Sequence, residues 1–142
     1  MWPDGRPLGR GHGQPYLQSK YADRVKAGTK TWEGRVYAGW CTKVREDDWI
    51  TFKVSGSATG ETLIVRALKV QRFVSFEAML REVGLEKLLP GCTSIHDGVE
   101  LYRSFRCFGG TTYGQAETTC GVVAIEIVPV DFMGARVGSP GK

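Results

Sequence analysis

Leu17, Tyr21 and Val25 recur every four residues, with Gln18, Ser19, Asp23, Arg24 and Lys26 polar around them. That spacing predicts an amphipathic helix, and Gly28 can end it in the left-handed C-cap conformation. Thr31 to Tyr37 then reads as a short strand. Over residues 48–55 the alternation is clean, with Ile50, Phe52 and Val54 on one face and Trp49, Thr51 and Lys53 on the other. The run from Ser55 to Gly60 is a turn. Thr62 to Val74 is a long run of β-formers, so the two strands predict an antiparallel hairpin.

The period then changes. Phe76, Met79, Leu80 and Val83 fall at helical spacing, with Ser75 as N-cap and Gly84 as stop. Leu85 to Leu89 adds a turn before Pro90-Gly91. Asp97-Gly98-Val99-Glu100 has capping-box spacing and is expected to open a helix running to about Cys107. On that helix Tyr102, Arg103 and Arg106 share one flank, opposite a stripe of Leu101, Phe105 and Phe108. Residues 109–115 read as a flexible loop, and Gly121 to Val130 as a strongly apolar last strand. Strands dominate the two ends and helices the middle, which is α+β rather than repeating βαβ. A mostly antiparallel sheet of this size is expected to close into a small barrel, removing its edges. Residues 1–13 and 133–142, rich in Gly, Pro and Arg, read as flexible tails around one domain over residues 14–132.

Composition narrows the classes. At 142 residues and 42% hydrophobic, the chain is one globular domain. No apolar run reaches the roughly 20 residues needed to span a bilayer, and no signal-like segment opens the chain, so an intracellular location, cytoplasmic or nuclear, is expected. The net charge of +4 favours polyanions such as nucleic acid without requiring one. The four cysteines, Cys41, Cys92, Cys107 and Cys120, form no C-x-x-C pair, and the only histidines are His12 and His96. This argues against a metal site and for free thiols. Cys92 and His96 are four apart but lack a third partner for nucleophilic catalysis. Gly109-Gly110 does not follow the strand-to-helix pattern of a phosphate loop. No cofactor is implied.

The chemistry-bearing stretch is Gly28-Thr29-Lys30-Thr31-Trp32-Glu33-Gly34-Arg35. Glu33 and Arg35 are two apart on a strand and share a face. Lys30 joins them if the chain is still turning after Gly28. Two cations and one carboxylate leave a positive pocket that suits a phosphate, with Glu33 orienting Arg35 or accepting from a base edge. A lysine buried there has a lowered pKa. The competing reading is a structural Glu33–Arg35 ion pair with Lys30 solvated.

This stretch resembles the G-x-K-x-x-E-x-R signature of the ASCH family, with every fixed position filled. Asp48-Trp49-Ile50-Thr51-Phe52 resembles the family's G-D-x-I-x-F strand, with Asp47 in place of the glycine. Phe76 to Leu80, Leu89 through Arg103, and Gly121 to Ile125 resemble further family elements. The resemblance implies a PUA-like barrel and an RNA-related function. Some family members look like RNA-binding modules of transcription coactivators, and others resemble ribonucleases. A short bacterial branch resembles amidohydrolases that remove an acetyl group from modified cytidine. There the motif lysine is catalytic and a threonine three residues later is the nucleophile; here Lys30 matches, but Glu33 occupies the threonine's place.

Three functions are therefore weighed. One is a module binding single-stranded RNA or a nucleotide through Lys30, Thr31, Glu33, Arg35, Tyr102, Arg103 and Arg106, with Tyr102 stacking on a base. Another is an RNA-directed hydrolase with Lys30 and Glu33 as acid and base. The third is a protein-interaction domain.

Overall fold

Residues 1–107, 109–131 and 136–137 are described by a computed structural model. The strands are β1 (Gly11–Gln18), β2 (Trp32–Val36), β3 (Trp49–Ser55), β4 (Thr62–Phe73), β5 (Val122–Asp131) and β6 (Arg136–Val137). The helices are α1 (Ser19–Ala27), α2 (Phe76–Val83), α3 (Leu85–Leu88), α4 (Ile95–Ser104) and α5 (Tyr113–Cys120), with a 3-10 turn at Gly39–Lys43. The strands run β1-β3-β4-β5-β2 in one sheet, with β6 added beside β5. β1 pairs parallel to β3, and every other pairing is antiparallel.

The hairpin registers Ile50 against Val65 and Phe52 against Leu63. Ile50, Phe52, Val54, Leu63 and Val65 are all buried, as the alternation predicts. Val122 to Ile125 are buried at consecutive positions because β5 lies between β4 and β2 and is covered on both faces. Ser75 caps α2, its hydroxyl accepting from the Ala78 N–H at 3.0 Å.

Several expectations are corrected. The sheet does not close into a barrel among the described residues: β1 and β2 stand at its two ends with no ladder between them. The side chain of Arg35 crosses that gap, its Nη2 donating to the Tyr16 carbonyl at 2.7 Å. The helix expected to open at Asp97 begins two residues earlier, at Ile95, with Ser94 as the cap accepting from Asp97 N–H. It stops at Ser104, because Phe105 turns to extended backbone. Residues read as a flexible loop up to Gln115 instead start α5, closed by a reciprocal capping box between Thr112 and Gln115.

The N-terminal segment expected as a flexible tail is packed. Trp2 is buried, its indole N–H donates to the Asp47 carbonyl at 2.8 Å, and its ring lies 4.7 Å from the Arg66 guanidinium. Gly9 and Gly11 serve close approach rather than flexibility. A Cβ on Gly9 would fall 2.1 Å from Asp48 Oδ1, and one on Gly11 2.6 Å from the Trp49 indole. Asp47, standing where the family pattern has glycine, holds the left-handed φ of 73°. Aspartate tolerates that region better than most residues, and its carboxylate there pairs with Arg66 and Arg6, both at 2.7 Å. Phe108 and the expected C-terminal tail, apart from Arg136–Val137, lie outside the described residues.

Candidate functional site

The site begins at the end of α1. Gly28 adopts φ 82°, and the Thr29 and Lys30 amides both donate back to the Arg24 carbonyl. The reversal directs Lys30 inward just before β2 starts. Its side chain is 1% exposed. The ammonium donates to the carbonyls of Trp32 at 2.7 Å and Leu88 at 2.6 Å, and to Glu33 Oε1 at 3.1 Å. A lysine has three N–H donors, so these acceptors use all of them.

The other Glu33 oxygen, Oε2, accepts from Arg35 Nε at 2.6 Å. Arg35 also reaches the Tyr16 carbonyl, and its guanidinium lies 5.5 Å from the rings of both Trp40 and Phe52. Its Nη1 has no hydrogen-bond partner among the described residues, and the side chain is 15% exposed. Burial pushes the Lys30 ammonium below its ordinary value, more than offsetting the pull of Glu33. Burial works to raise the Glu33 carboxyl, but Lys30 and Arg35 outweigh it and hold Glu33 below the usual carboxylate range. For Arg35, burial opposes the charge and Glu33 prevails, so its pKa is raised.

These groups form the inner end of a cavity of about 900 Å³ that opens between β1 and β2. Such a volume lies in the range of small-ligand sites, roughly 300–1,000 Å³. Tyr16, Tyr21, Trp40, Tyr102, Phe105 and Tyr113 contribute aromatic surface to its walls. Tyr102 stacks on Phe76 with centroids 4.8 Å apart, and Tyr113 stacks on the same ring at 5.8 Å. The Tyr102 hydroxyl is buried and has no hydrogen-bond partner among the described residues. It sits over Gly34, where an added Cβ would come within 2.7 Å of it. Burial first, and then the Glu33 carboxylate, raise the Tyr102 hydroxyl well above its ordinary pKa, so it stays protonated.

Lys30, Glu33 and Arg35 are thus brought together, but Lys30 is sealed in rather than presented to solvent. Thr31 does not line the cavity: its amide donates to Lys87 and its carbonyl accepts from Ile127. Tyr102, expected on an exposed flank, faces inward, because α4 buries the side carrying Val99 and Tyr102. Arg103 stays outside, with its Nε 2.8 Å from Glu117. Arg106 follows the end of α4. It lines the mouth while donating to the Gly110 carbonyl at 2.8 Å. Cys92 is half-buried with its thiol directed to the Ser94 carbonyl, away from the cavity lining.

Sequence reasoning missed Tyr113 and Phe105 as wall residues. Thr112-Tyr113-Gly114-Gln115 carries capping-box spacing, a signal that would have placed Tyr113 at a helix start. Among the described residues, no group of three or more His, Cys, Asp or Glu is placed to hold a metal ion, and no helix is long and apolar enough to cross a membrane.

The ASCH domain model matches residues 16–131. The fold is similar to the crystal structure of the hypothetical protein PH0355, with 34% identity and a TM-score of 0.70, covering 86% of this chain and 100% of that one. It is also similar to the solution structure of protein PF0455 from Pyrococcus furiosus, with 32% identity and a TM-score of 0.62, covering 87% and 97% of the two chains. A mutant ASCH protein from Zymomonas mobilis shares the fold at 13% identity and a TM-score of 0.52, covering 84% of this chain and 72% of that one. Among curated proteins there is no match.

Proposed function

This chain belongs to the ASCH domain family, and from that premise we propose that its cleft binds one nucleotide of a single-stranded RNA. ASCH domains are PUA-like and generally resemble RNA-binding domains. The observation that carries the reading is a pair of donors with no partner among the described residues, Arg35 Nη1 and the buried Tyr102 hydroxyl, on two side chains that line the cavity. A buried hydroxyl without a partner costs about 1–3 kcal/mol. A base edge with an acceptor would satisfy it and Arg35 together. Glu33 has lone pairs beyond those used by Lys30 and Arg35, and it offers acceptance to an amino group on the same edge.

In this reading each motif residue has a distinct task. Lys30 clips β2 to the end of α3 and fixes Glu33. Glu33 fixes Arg35, and Arg35 meets the ligand. Tyr16, 63% exposed at the mouth, and Trp40 supply stacking surfaces. Arg106 faces the backbone phosphates outside. The saturation of Lys30 favours binding over hydrolysis, since a lysine acting as acid or base would have to release one of its fixed acceptors.

Fluorescence anisotropy with a labelled random-sequence ten-nucleotide RNA, across a salt series, tests this. Binding that weakens with salt is expected. It should fall about tenfold in Tyr102→Phe and more in Arg35→Lys, which loses the forked donor. Wild-type affinity in both variants would overturn the reading. Accumulating cleavage products would transfer it to the hydrolase, and no RNA binding at all would favour the protein-interaction domain.

A further inference from the structure

The segment that walls the cleft also walls a second hollow on its other side. Ala38 to Cys41 face the cleft, whereas Tyr37, Thr42, Arg45 and Arg72 line a depression of about 300 Å³. The two sites share one construction. In the cleft, the Arg35 guanidinium lies 5.5 Å from the Trp40 ring; in the hollow, the Arg72 guanidinium lies 3.7 Å from the Tyr37 ring. Each is a cation stacked on an aromatic face, a surface on which a base or its phosphate is readily placed.

The hollow is also positive. Arg72 is exposed and forms no ion pair among the described residues. The hydrogen bond of the Arg45 side chain goes to the Val44 carbonyl, not to a carboxylate. Glu46 is the acidic group in the lining, so two guanidiniums face one carboxylate. A stacked arginine with no anionic partner, beside a second arginine, is suited to a phosphodiester.

Between the sites lies the 3-10 turn Gly39–Lys43. At about 2 Å rise per residue it is about 10 Å long. Stacked nucleotides repeat at about 3.4 Å, so about three steps of a strand cover that distance.

Resting on the cleft reading above, we propose that Tyr37, Arg45 and Arg72 form a second nucleotide site that holds the RNA strand flanking the nucleotide in the cleft. The ligand is then a strand crossing the 3-10 turn rather than a free mononucleotide. The hollow holds stack and phosphate without reading a base, and the cleft reads the base edge.

The test compares a labelled random-sequence ten-nucleotide RNA with each of the four ribonucleoside 5′-monophosphates. The variants are Arg72→Glu, Tyr37→Leu and Arg35→Lys. Thermal unfolding of each confirms the fold, and exposed Arg72 is expected to leave it unchanged. Arg72→Glu and Tyr37→Leu are each expected to weaken the ten-nucleotide RNA about tenfold. Arg72→Glu should also lower the salt slope by about one. Monophosphate affinity should stay at the wild-type value in both. Unchanged RNA affinity in both variants, with Arg35→Lys still impaired, would overturn the second site and leave the cleft standing. A loss of monophosphate affinity in these two variants would overturn it as well. If the hollow variants weaken RNA while Arg35→Lys does not, the cleft reading fails and the hollow binds RNA by itself.

Discussion

Tyr102 places stability and binding in opposition at a single atom. Its ring packs on Phe76, while its hydroxyl is buried without a partner among the described residues. Removing the oxygen keeps the packing and ends the desolvation cost. Tyr102→Phe is therefore expected to raise unfolding stability by about 1 kcal/mol in urea titration while weakening RNA. A variant that is both less stable and weaker in binding would show that the hydroxyl has a partner within the fold. Lys30 behaves the opposite way. Lys30→Met strands the Trp32 and Leu88 carbonyls and removes one counter-charge from Glu33. A loss of about 3 kcal/mol is expected, as for breaking other buried pairs. The pH dependence follows from the same triad. Glu33 has a lowered folded pKa, so its contribution is present above its ordinary value of 4.5 and disappears as pH falls through the lower folded value. Lys30 is also lowered. Between its depressed value and the ordinary 10.5 the unfolded chain binds more protons, so stability rises with pH across that window. Urea midpoints measured against pH should show both slopes in the wild type, and Lys30→Met should lose the alkaline one.

At the scale of elements, helix starts govern how the cleft's aromatic wall is held. Ser75 caps Ala78 N–H, and the Phe76 N–H at the same helix start is taken by Glu117 Oε2 at 2.7 Å. Glu117 comes from α5 and also holds Arg103, so it fastens α2, α4 and α5 together. Thr112→Ala, which removes only the α5 cap, is expected to cost about 1 kcal/mol by thermal or urea unfolding. Glu117→Ala leaves a buried amide unpaired and should cost more, about 2–3 kcal/mol. Equal losses would mean that α5 acts only through its own helix start. This arrangement also explains what was legible. The strands of the hairpin and α2 were readable because their buried faces are apolar and regular. α5 was not, since Tyr-Gly-Gln-Ala-Glu-Thr-Thr-Cys has weak helix formers and anchors itself through a buried carboxylate. In α4 the capping-box spacing of Asp97 and Glu100 pointed to a later start, whereas the cap is Ser94, which accepts from the Asp97 N–H. The Glu33–Arg35 pairing followed from strand period and the Lys30 turn from Gly28. The burial of Lys30 depends on Leu88, 58 residues away, which local pattern does not reach.

For the molecule as a whole, the open sheet is what makes a cleft, and the position of β1 sets its width. β1 supplies Gly13 and Tyr16 to one wall, yet Leu17 is its buried apolar residue. Gly11 to Gly13 therefore fall in the expected tail and Leu17 in the expected helix, whereas the whole segment is an edge strand held mostly through backbone. The anchor is Asp48. One carboxylate oxygen accepts from Arg10 N–H at 2.8 Å; the other accepts from Arg45 N–H and meets His12 Nε2, each at 2.8 Å. Burial works to raise this carboxyl, but the donors outweigh it and its pKa is lowered. Its contribution is thus present above the ordinary value of 3.8 and lost as pH falls through the lower folded value. Asp48→Asn imitates that loss at neutral pH, because an amide NH₂ replaces one acceptor and faces a backbone donor. It should cost about 1–3 kcal/mol. The decisive readout is amide exchange. If Asp48 sets the cleft wall, amides of Gly11–Gln18 will exchange faster while those of β4 and β5 keep their protection, and RNA affinity will fall with no cleft residue altered. A uniform rise across the sheet would instead make Asp48 a general support of the fold, with no particular hold on the cleft.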